Sequence, residues 1–398
     1  MLWTKEVCRR AYNRFLHLYN SGEQDWVTLQ ALLPVWKAAD SDFEGVYSKL
    51  LQYELHRLFS NISAMEEMRR RGRKIGKLRF KGQRHFKTFS YNQSGFKIIK
   101  KNKKFGFLHL SKIGDIPMRL HREIAGHIKG ITIKHAASGK WYANIIVDNG
   151  TCAPEITLIN RSIAIDVGLT TYIVDSDANE VENPRHLKQA LKKLRREQRR
   201  LGRCQKDSIN REKQRIVVAR QYERVKNRRE DFQHKLARHY VNGYDLVVTE
   251  RLSINEMIKD YRFAGSISDA AWKSLNHKIA YKAENAGKLF VQVNPRNTSQ
   301  LCSKCGVIVP KTLAQRVHRC PNCGIILGRD YNSSLVILER GLQKIRSERP
   351  EFTLADNRPL CGTRSPVQVD WLKQEIPLKV RDGSPIGRRG KGRRAPAR

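Results

Sequence analysis

The stretch from Leu289 to Leu338 reads Leu-Phe-Val-Gln-Val-Asn-Pro-Arg-Asn-Thr-Ser-Gln at 289–300, passes through four cysteines, and continues Gly-Arg-Asp-Tyr-Asn-Ser-Ser at 328–334. The cysteines form two Cys-x-x-Cys pairs with 14 residues between the pairs: Cys302, Cys305, Cys320 and Cys323. Each pair can close a tight loop on one tetrahedral zinc ion, with Zn–S distances of about 2.3 Å. A redox pair or a disulfide framework is the alternative, but the glycine after each pair favours a zinc ribbon.

An acidic residue follows the second cysteine pair. Asp330 lies seven residues past Cys323 and precedes a predicted helix from Tyr331 to Leu342, whose leucines and valine share one face. Taken alone, an aspartate at such a position is more often a charge favoured by the helix dipole. An aspartate on a rigid element could also hold a metal ion.

Two more acidic residues end short apolar runs upstream. Asp166 follows Ser-Ile-Ala-Ile at 162–165, and Glu250 follows Leu-Val-Val-Thr at 246–249. Each run predicts a buried strand, and a rigid sheet with an open edge is where α/β proteins usually assemble their sites. Each acid could instead be a solvated strand end. Together with Asp330, the three predict a cage for two divalent cations, Mg²⁺ or Mn²⁺, which prefer hard oxygen ligands.

These motifs, in this order, resemble the TnpB family, the transposon-associated ancestors of the type V CRISPR effectors. The similar text extends over roughly residues 5 to 342 and includes Arg79-Phe-Lys, Ser111-Lys-Ile-Gly, His135-Ala-Ala-Ser-Gly-Lys-Trp141-Tyr, Asp166-x-Gly168, Glu250-Arg-Leu, Asn297-Thr-Ser-Gln-Leu-Cys302-Ser-Lys-Cys305-Gly and Arg329-Asp330-x-Asn332. The resemblance implies a split RuvC-like nuclease centre at Asp166, Glu250 and Asp330. By themselves, the acids and the charge indicate only a metal-dependent nuclease of the RNase H superfamily.

The resemblance also implies the partners and the reaction. A guide RNA from the transposon end would pair with one strand of a double-stranded DNA target, which would be cut beside a short adjacent motif. Two metal ions about 4 Å apart would support in-line hydrolysis of the phosphodiester without a covalent nucleophile. The four cysteines would hold a closed, structural Zn²⁺ that braces the segment carrying Asp330.

The composition independently indicates a polyanionic partner. The 398 residues carry 77 Lys and Arg against 38 Asp and Glu, a formal net charge of +39. Nucleic acid is favoured over a membrane because no apolar run is long enough to span one. We therefore expect no membrane partner, no small-molecule substrate, and a cytoplasmic, nucleoid-associated protein of a prokaryote.

The expected fold class is multidomain α+β, built from a helical N-terminal lobe, a small wedge-like β-barrel, an RNase H-like RuvC α/β domain with an inserted basic helical hairpin, and a zinc ribbon. The expected boundaries are 1–67 for the helical recognition lobe, 68–160 for the barrel, 161–300 for the nuclease domain with its insertion at 185–240, 301–326 for the ribbon, 327–345 for the last helix, and 346–398 for a disordered basic tail.

Two segments concentrate the positive charge. Arg69–Lys104 holds 15 Lys or Arg and no acid, and residues 185–240 hold 20 Lys or Arg against 6 acids. We expect both to contact phosphates, which sets affinity more than sequence choice. His318 is expected on the surface, and a mobile loop is expected over the cleft at residues 264–266.

Three alternatives stay open. A cleavage-deficient, guide-dependent DNA-binding protein or repressor is the first: the resemblance implies a strand before the first helix, whereas we expect the first helix to begin already near Thr4. A structural nucleic-acid binder of the zinc-ribbon type is the second, although it would not need the three acids. A DNA-joining transposase is the third and the least favoured.

Overall fold

The computed structural model describes residues 1–150, 152, 154, 158–312, 314–348 and 353–354. Within them the chain forms two compact units that divide near residue 150. The architecture is mixed α and β, as expected. None of the described helices is long and apolar enough to cross a membrane.

The N-terminal unit places four helices ahead of six strands. Its elements are α1 (Leu2–Asn20), α2 (Trp26–Ala39), α3 (Ser41–Glu44), α4 (Ser48–Arg70), β1 (Thr88–Asn92), β2 (Phe96–Lys100), β3 (Phe105–Leu110), β4 (Gly114–Arg119), β5 (His127–His135) and β6 (Trp141–Asp148). Helical spacing of apolar residues buries one face of α1, including Val7, Ala11 and Phe15. Asp25 caps α2 by accepting a 2.7 Å hydrogen bond from the Thr28 N–H.

The six strands form two antiparallel sheets of three, in the orders β1-β5-β6 and β2-β3-β4. Side chains of both sheets join the helices in one hydrophobic core, for example Phe89 and Ile133 from the first sheet and Leu108 from the second. Most aromatic side chains of the basic segment Arg69–Lys104 therefore pack into the hydrophobic core of this unit. Closure of these sheets into a barrel stays a prediction.

The C-terminal unit is built on a five-stranded sheet. Its elements are β7 (Leu158–Ile159), β8 (Ser162–Val167), β9 (Thr171–Asp175), β10 (Glu180–Glu182), α5 (His186–Arg203), α6 (Ile209–Gly243), β11 (Leu246–Glu250), α7 (Ile254–Met257), α8 (Tyr261–Ala270), α9 (Trp272–Asn285), β12 (Leu289–Val293), β13 (Val317–Arg319), β14 (Ile326–Gly328), α10 (Arg329–Glu348) and β15 (Thr353–Leu354).

The strand order of the large sheet is β10-β9-β8-β11-β12. Strands β8, β11 and β12 are parallel, while β9 and β10 return antiparallel as a hairpin extension. Parallel neighbours need crossover connections, and here α5 with α6, and then α7 to α9, lie between successive strands of the sheet. The central strands β8 and β11 consist mainly of apolar residues, as expected for strands that have helices packed on both faces of their sheet.

Each face of the sheet has its own core. Ile163, Ile165 and Val247 pack with residues of α6 and α9, including Leu236 and Leu275. Strand side chains alternate between faces, so the residues in between point to the other side. Ala164, Val248 and Val293 lie on that opposite face and pack with Ile337 and Leu338 of α10.

Helix α10 differs from its expected limits at both ends. It begins at Arg329, two residues before the predicted start at Tyr331, and it continues to Glu348, past both the predicted helix end at Leu342 and the segment boundary at residue 345. Residues 346–348 are thus helical, and Thr353–Leu354 pair in parallel with β7, although a disordered tail was expected from residue 346. The other residues of that expected tail lie outside the described residues.

Candidate active site and four-cysteine group

Asp166 and Glu250 occupy neighbouring positions on adjacent parallel strands. The register of β8 with β11 aligns Ile165 with Thr249, and each acid is the next residue on its strand. Side chains one position after an aligned pair share a face of the sheet. The two carboxylates therefore lie side by side where both strands end, on the face that α10 covers.

Asp330 reaches the same face from the start of α10. It lies in the first turn of that helix, and the following residues Asn332, Ser333 and Ser334 are buried. Its carboxylate accepts a 2.9 Å hydrogen bond from Nε of Arg329 and lies 3.7 Å from Nη1 of Arg316. An acid in the first helical turn is also stabilised by the helix dipole.

Electrostatics link the three acids. Burial, followed by the nearby carboxylates of Glu250 and Asp330, holds the pKa of Asp166 well above its usual range. Burial also raises the pKa of Glu250, against the opposing effect of a hydrogen bond from Thr298. Desolvation and like charge both disfavour the ionised carboxylate, which a bound cation would reverse.

Asp166 and Glu250 each have a neighbouring hydroxyl group. The Ser333 hydroxyl on α10 lies near Asp166 and lowers its pKa against the effect of burial, and Thr298, between β12 and the first cysteine pair, donates to Oε1 of Glu250 at 2.5 Å. Ser333 and Thr298 both lie within the sequence motifs quoted above, but the motifs alone did not indicate a role for either residue. The only indication in the sequence was that Thr298 lies near Cys302 and Ser333 lies near Asp330.

The Sγ atoms of the four cysteines all lie within 4.8 Å of one another. These residues are Cys302, Cys305, Cys320 and Cys323. The Sγ atoms of Cys302 and Cys323 lie 3.6 Å apart, and those of Cys305 and Cys320 lie 3.5 Å apart. These separations exclude disulfide bonds, which need about 2.05 Å. They approach the edge of about 3.8 Å expected for a tetrahedron of thiolates around zinc.

Both cysteine loops have the same backbone geometry. Gly306 N–H donates to Cys302 C=O at 2.9 Å, and Gly324 N–H donates to Cys320 C=O at 3.0 Å. Both glycines have positive φ, 73° and 72°, which a residue with a side chain rarely adopts. The glycine after each pair is therefore required for the turn that brings two sulfurs to one side.

Among the described residues, only the four cysteines form a group of three or more potential metal ligands with all ligand atoms within 4.8 Å of one another. Asp166, Glu250 and Asp330 do not form such a group. The structure thus places the three acids on one face of the sheet, where the charges of Glu250 and Asp330 act on Asp166. Their carboxylates do not gather at one point as the cysteine sulfurs do.

Two expectations about nearby residues are wrong. His318 is fully buried beside the cysteines, with Nδ1 next to Nζ of Lys311, and is not a surface residue. Residues 264–266 lie inside α8 and do not form a loop. The exposed Gly265 does not interrupt this helix because Ile267 and Ala270 anchor it to the core.

Two family models match the segments of the chain that carry these residues. The family described as "Probable transposase" matches residues 147–260, and the family described as "Cas12f1-like, TNB domain" matches residues 272–337. The first match spans the strands of Asp166 and Glu250, and the second spans the cysteines and Asp330. Over these two segments the chain is similar to both families.

Two curated relatives share the name "Putative RNA-guided DNA endonuclease". A protein of Streptomyces pristinaespiralis is 34% identical over 53% of this chain and 52% of its own length. InsQ of Escherichia coli K12 is 28% identical over 66% of this chain and 68% of its own length. The chain therefore spans about half of the length of the first relative and about two thirds of the second.

A solved structure shares the fold. The cryo-EM structure of the Cas12f1-sgRNA-target DNA complex contains a chain that matches with a TM-score of 0.54 at 16% identity, covering 84% of this chain and 81% of that chain. At this identity the likeness describes the fold alone.

Proposed function

We propose that this TnpB-like chain is an RNA-guided DNA endonuclease associated with an insertion-sequence transposon, cutting double-stranded DNA next to a short target-adjacent motif. The observation that carries this proposal is the side-by-side position of Asp166 and Glu250 on the sheet face that α10, with Asp330 in its first turn, covers. The names of the curated relatives support the same activity.

The chemistry is hydrolysis of a phosphodiester. Bound Mg²⁺ or Mn²⁺ would activate a water for in-line attack and stabilise the departing 3′ oxygen. Asp166, Glu250 and Asp330 would hold these ions, since carboxylate oxygens suit hard divalent cations that keep several waters. Ser333 and Thr298 would hold the first two carboxylates in fixed orientations, and Arg329 would do so for Asp330.

The four cysteines would hold Zn²⁺ in a closed, structural site. Four thiolates complete a tetrahedral shell, which leaves no open position for water or substrate. The sulfur separations of 3.5 and 3.6 Å fit this shell. The site lies close in sequence to both Thr298 and Asp330, so its loss would disturb the carboxylates as well as the ribbon.

The positive charge supplies the nucleic-acid surface. One cluster lies along α5 and includes Lys192, Lys193, Arg196, Arg199, Arg200 and Arg203. Because α5 and α6 lie between the strands of Asp166 and Glu250, we propose that this basic hairpin is inserted into an RuvC-like domain and lines the path of DNA or guide RNA to the acids. The N-terminal sheets would form the wedge-like barrel that grips the guide.

The test is to express the chain with its flanking transposon DNA, sequence the RNA that co-purifies, and add a matching plasmid in Mg²⁺. A discrete RNA with cleavage that Asp166→Ala abolishes would support the guided nuclease. The same RNA with target binding and no cleavage would support a repressor instead. Absence of any specific RNA would overturn guide dependence.

A further inference from the structure

The segment 298–303, between β12 and the second cysteine of the first pair, contacts two parts of the candidate site. Thr298 is 4% exposed, and its hydroxyl lies 2.5 Å from Oε1 of Glu250 and 3.0 Å from the carbonyl of Pro295. A hydroxyl has a single proton, and an ionised carboxylate is the stronger acceptor. The proton of Thr298 is therefore directed to Glu250.

Asn332 makes the second contact. It is fully buried one residue past Tyr331, and its amide binds the backbone on both sides of Cys302. Nδ2 donates to the carbonyl of Leu301 at 2.7 Å, and Oδ1 accepts from the N–H of Ser303 at 3.0 Å. One partner is an acceptor and the other a donor, so only one orientation of the amide satisfies both.

These contacts connect three sites along a short path. Thr298 binds Glu250, Cys302 belongs to the four-cysteine group, and Asn332 joins the backbone around Cys302 to the helical turn of Asp330. We name Thr298, the backbone at 301–303 and Asn332 together the clasp. Thr298 and Asn332 are buried and hydrogen-bonded, so the geometry of the clasp is fixed more tightly than that of an exposed loop.

We propose that Thr298 and Asn332 are positioning residues of the carboxylate site: Thr298 orients Glu250, and Asn332 holds the first turn of α10, with Asp330, against the four-cysteine group. This inference rests on the proposed function of the three acids. It extends that function by assigning the position of Glu250 to the Thr298 hydroxyl, and the position of Asp330 to the bonds between Asn332 and the backbone on either side of Cys302.

The Thr298 contact has a measurable consequence for cation binding. A hydroxyl on one oxygen of Glu250 limits rotation of the carboxylate and leaves its other oxygen for a metal ion. Loss of such an orienting partner typically costs 10–100-fold in metal affinity or activity. Valine has the shape of threonine without the hydroxyl, whereas serine keeps the hydroxyl.

The first experiment measures Mn²⁺ binding to the full chain by the electron paramagnetic resonance of the free ion, with cleavage assayed in parallel. We expect Thr298→Val to weaken Mn²⁺ binding about 10–100-fold and Thr298→Ser to restore it to within a few-fold. Ser299→Ala changes the exposed neighbouring residue and should leave Mn²⁺ binding unchanged. Mn²⁺ binding by Thr298→Val as tight as that of the wild type would overturn the role of Thr298.

The second experiment concerns Asn332. We expect Asn332→Ala to release zinc faster to a chromophoric chelator and, while zinc is still bound, to weaken Mn²⁺ binding about 10-fold or more. Ser334→Ala is the matched control, because the Ser334 hydroxyl is also buried in this turn but bonds only to the carbonyl of Tyr331, at 2.7 Å. Equal Mn²⁺ affinity in both zinc-loaded variants would overturn the coupling.

The wild-type protein separates the two proposals. If it binds Mn²⁺ and cleaves while the Thr298 and Asn332 variants match it, the clasp is wrong and the nuclease assignment stands. If the wild type binds no Mn²⁺ at the three acids, as judged against Asp166→Ala, the proposed function and the clasp are overturned together.

Discussion

Gly341 of α10 packs against Val248 of β11 with no space for a side chain. A Cβ at Gly341 would lie 2.5 Å from Cγ2 and 2.7 Å from Cγ1 of Val248. Val248 is two residues before Glu250, and Gly341 is on the helix that begins beside Asp330. The close contact therefore sets how near α10 approaches the strand that carries Glu250.

We expect Gly341→Ala to lower the free energy of unfolding by about 1–3 kcal/mol, the usual cost of overpacking a core. Gly265→Ala is the control, because a Cβ there meets nothing within 4 Å and the residue is exposed within α8. That change should stabilise the chain by up to about 1 kcal/mol, since alanine is the better helix former. Urea denaturation measures both, and equal effects of the two substitutions would contradict the packing argument.

The second prediction concerns the acids. Asp166→Asn preserves the size of the side chain at position 166 but removes its negative charge. We expect plasmid cleavage to fall by more than about 100-fold while RNA and DNA binding stay within a few-fold. Glu180→Gln, on the exposed edge strand β10, should cleave like the wild type. Cleavage at the normal rate by Asp166→Asn would remove the carboxylate site from the mechanism.

The third prediction concerns the cysteines. We expect Cys302→Ser to lower the zinc content from about one per chain to near zero and to lower the thermal midpoint with it, because metal binding is coupled to folding. Cys204→Ser is the control, since its thiol only donates to the Arg200 carbonyl at 3.3 Å. Metal analysis by mass spectrometry and calorimetry provide the readouts. A wild-type chain without zinc would end this assignment.

The parts of the site that could be predicted depend on interactions within short stretches of sequence. Asp166 and Glu250 each end an apolar run, and parallel strands present their carboxyl ends at one edge of a sheet. The cysteine loops were predictable because glycine after each pair permits the positive φ that the turn requires. Their convergence on one point followed from spacing alone.

The remaining features depend on contacts far apart in sequence. The bond from Thr298 to Glu250 joins residues 48 positions apart, and no period or motif encodes it. His318 was expected on the surface because four cysteines already supply a complete set of zinc ligands, but the folded chain buries it completely. Gly265 suggested a break, yet packing of Ile267 and Ala270 outweighs its weak helix propensity.

A fourth prediction follows from Glu54, which is fully buried in α4 of the N-terminal unit and paired with Arg57 at 3.0 Å. Burial raises the pKa of Glu54 from 4.5 to about 8, and the Arg57 guanidinium opposes the rise only in part. Between these values the folded chain holds a proton that the unfolded chain has released. The free energy of unfolding therefore falls as the pH rises from about 4.5 to 8, by at most about 1.4 kcal/mol per pH unit.

Glu54→Gln keeps the shape and removes the titration, so it should flatten this pH dependence. The measurement is hydrogen exchange of α4 peptides in the full chain between pH 5 and 8, corrected for the intrinsic rate. Glu67→Gln, an exposed acid on the same helix that pairs with Arg71, is the control and should retain the wild-type slope. A wild-type slope no steeper than that of Glu54→Gln would contradict the raised pKa.

The fifth prediction tests the basic cluster on α5. Arg196 and Arg200 contact the buried Glu197 and so contribute to folding, whereas Lys193 and Arg199 are exposed. Removing a side chain that neutralises one phosphate should reduce the slope of log affinity against log salt by about 0.9 for duplex DNA. We therefore expect the double change Lys193→Ala and Arg199→Ala to reduce this slope by about 1.8, measured by fluorescence anisotropy from 50 to 300 mM salt. The double change Lys259→Ala and Lys273→Ala removes the same charge from exposed positions outside the cluster. Equal reductions in both double variants would mean that net charge, and not the α5 surface, sets binding.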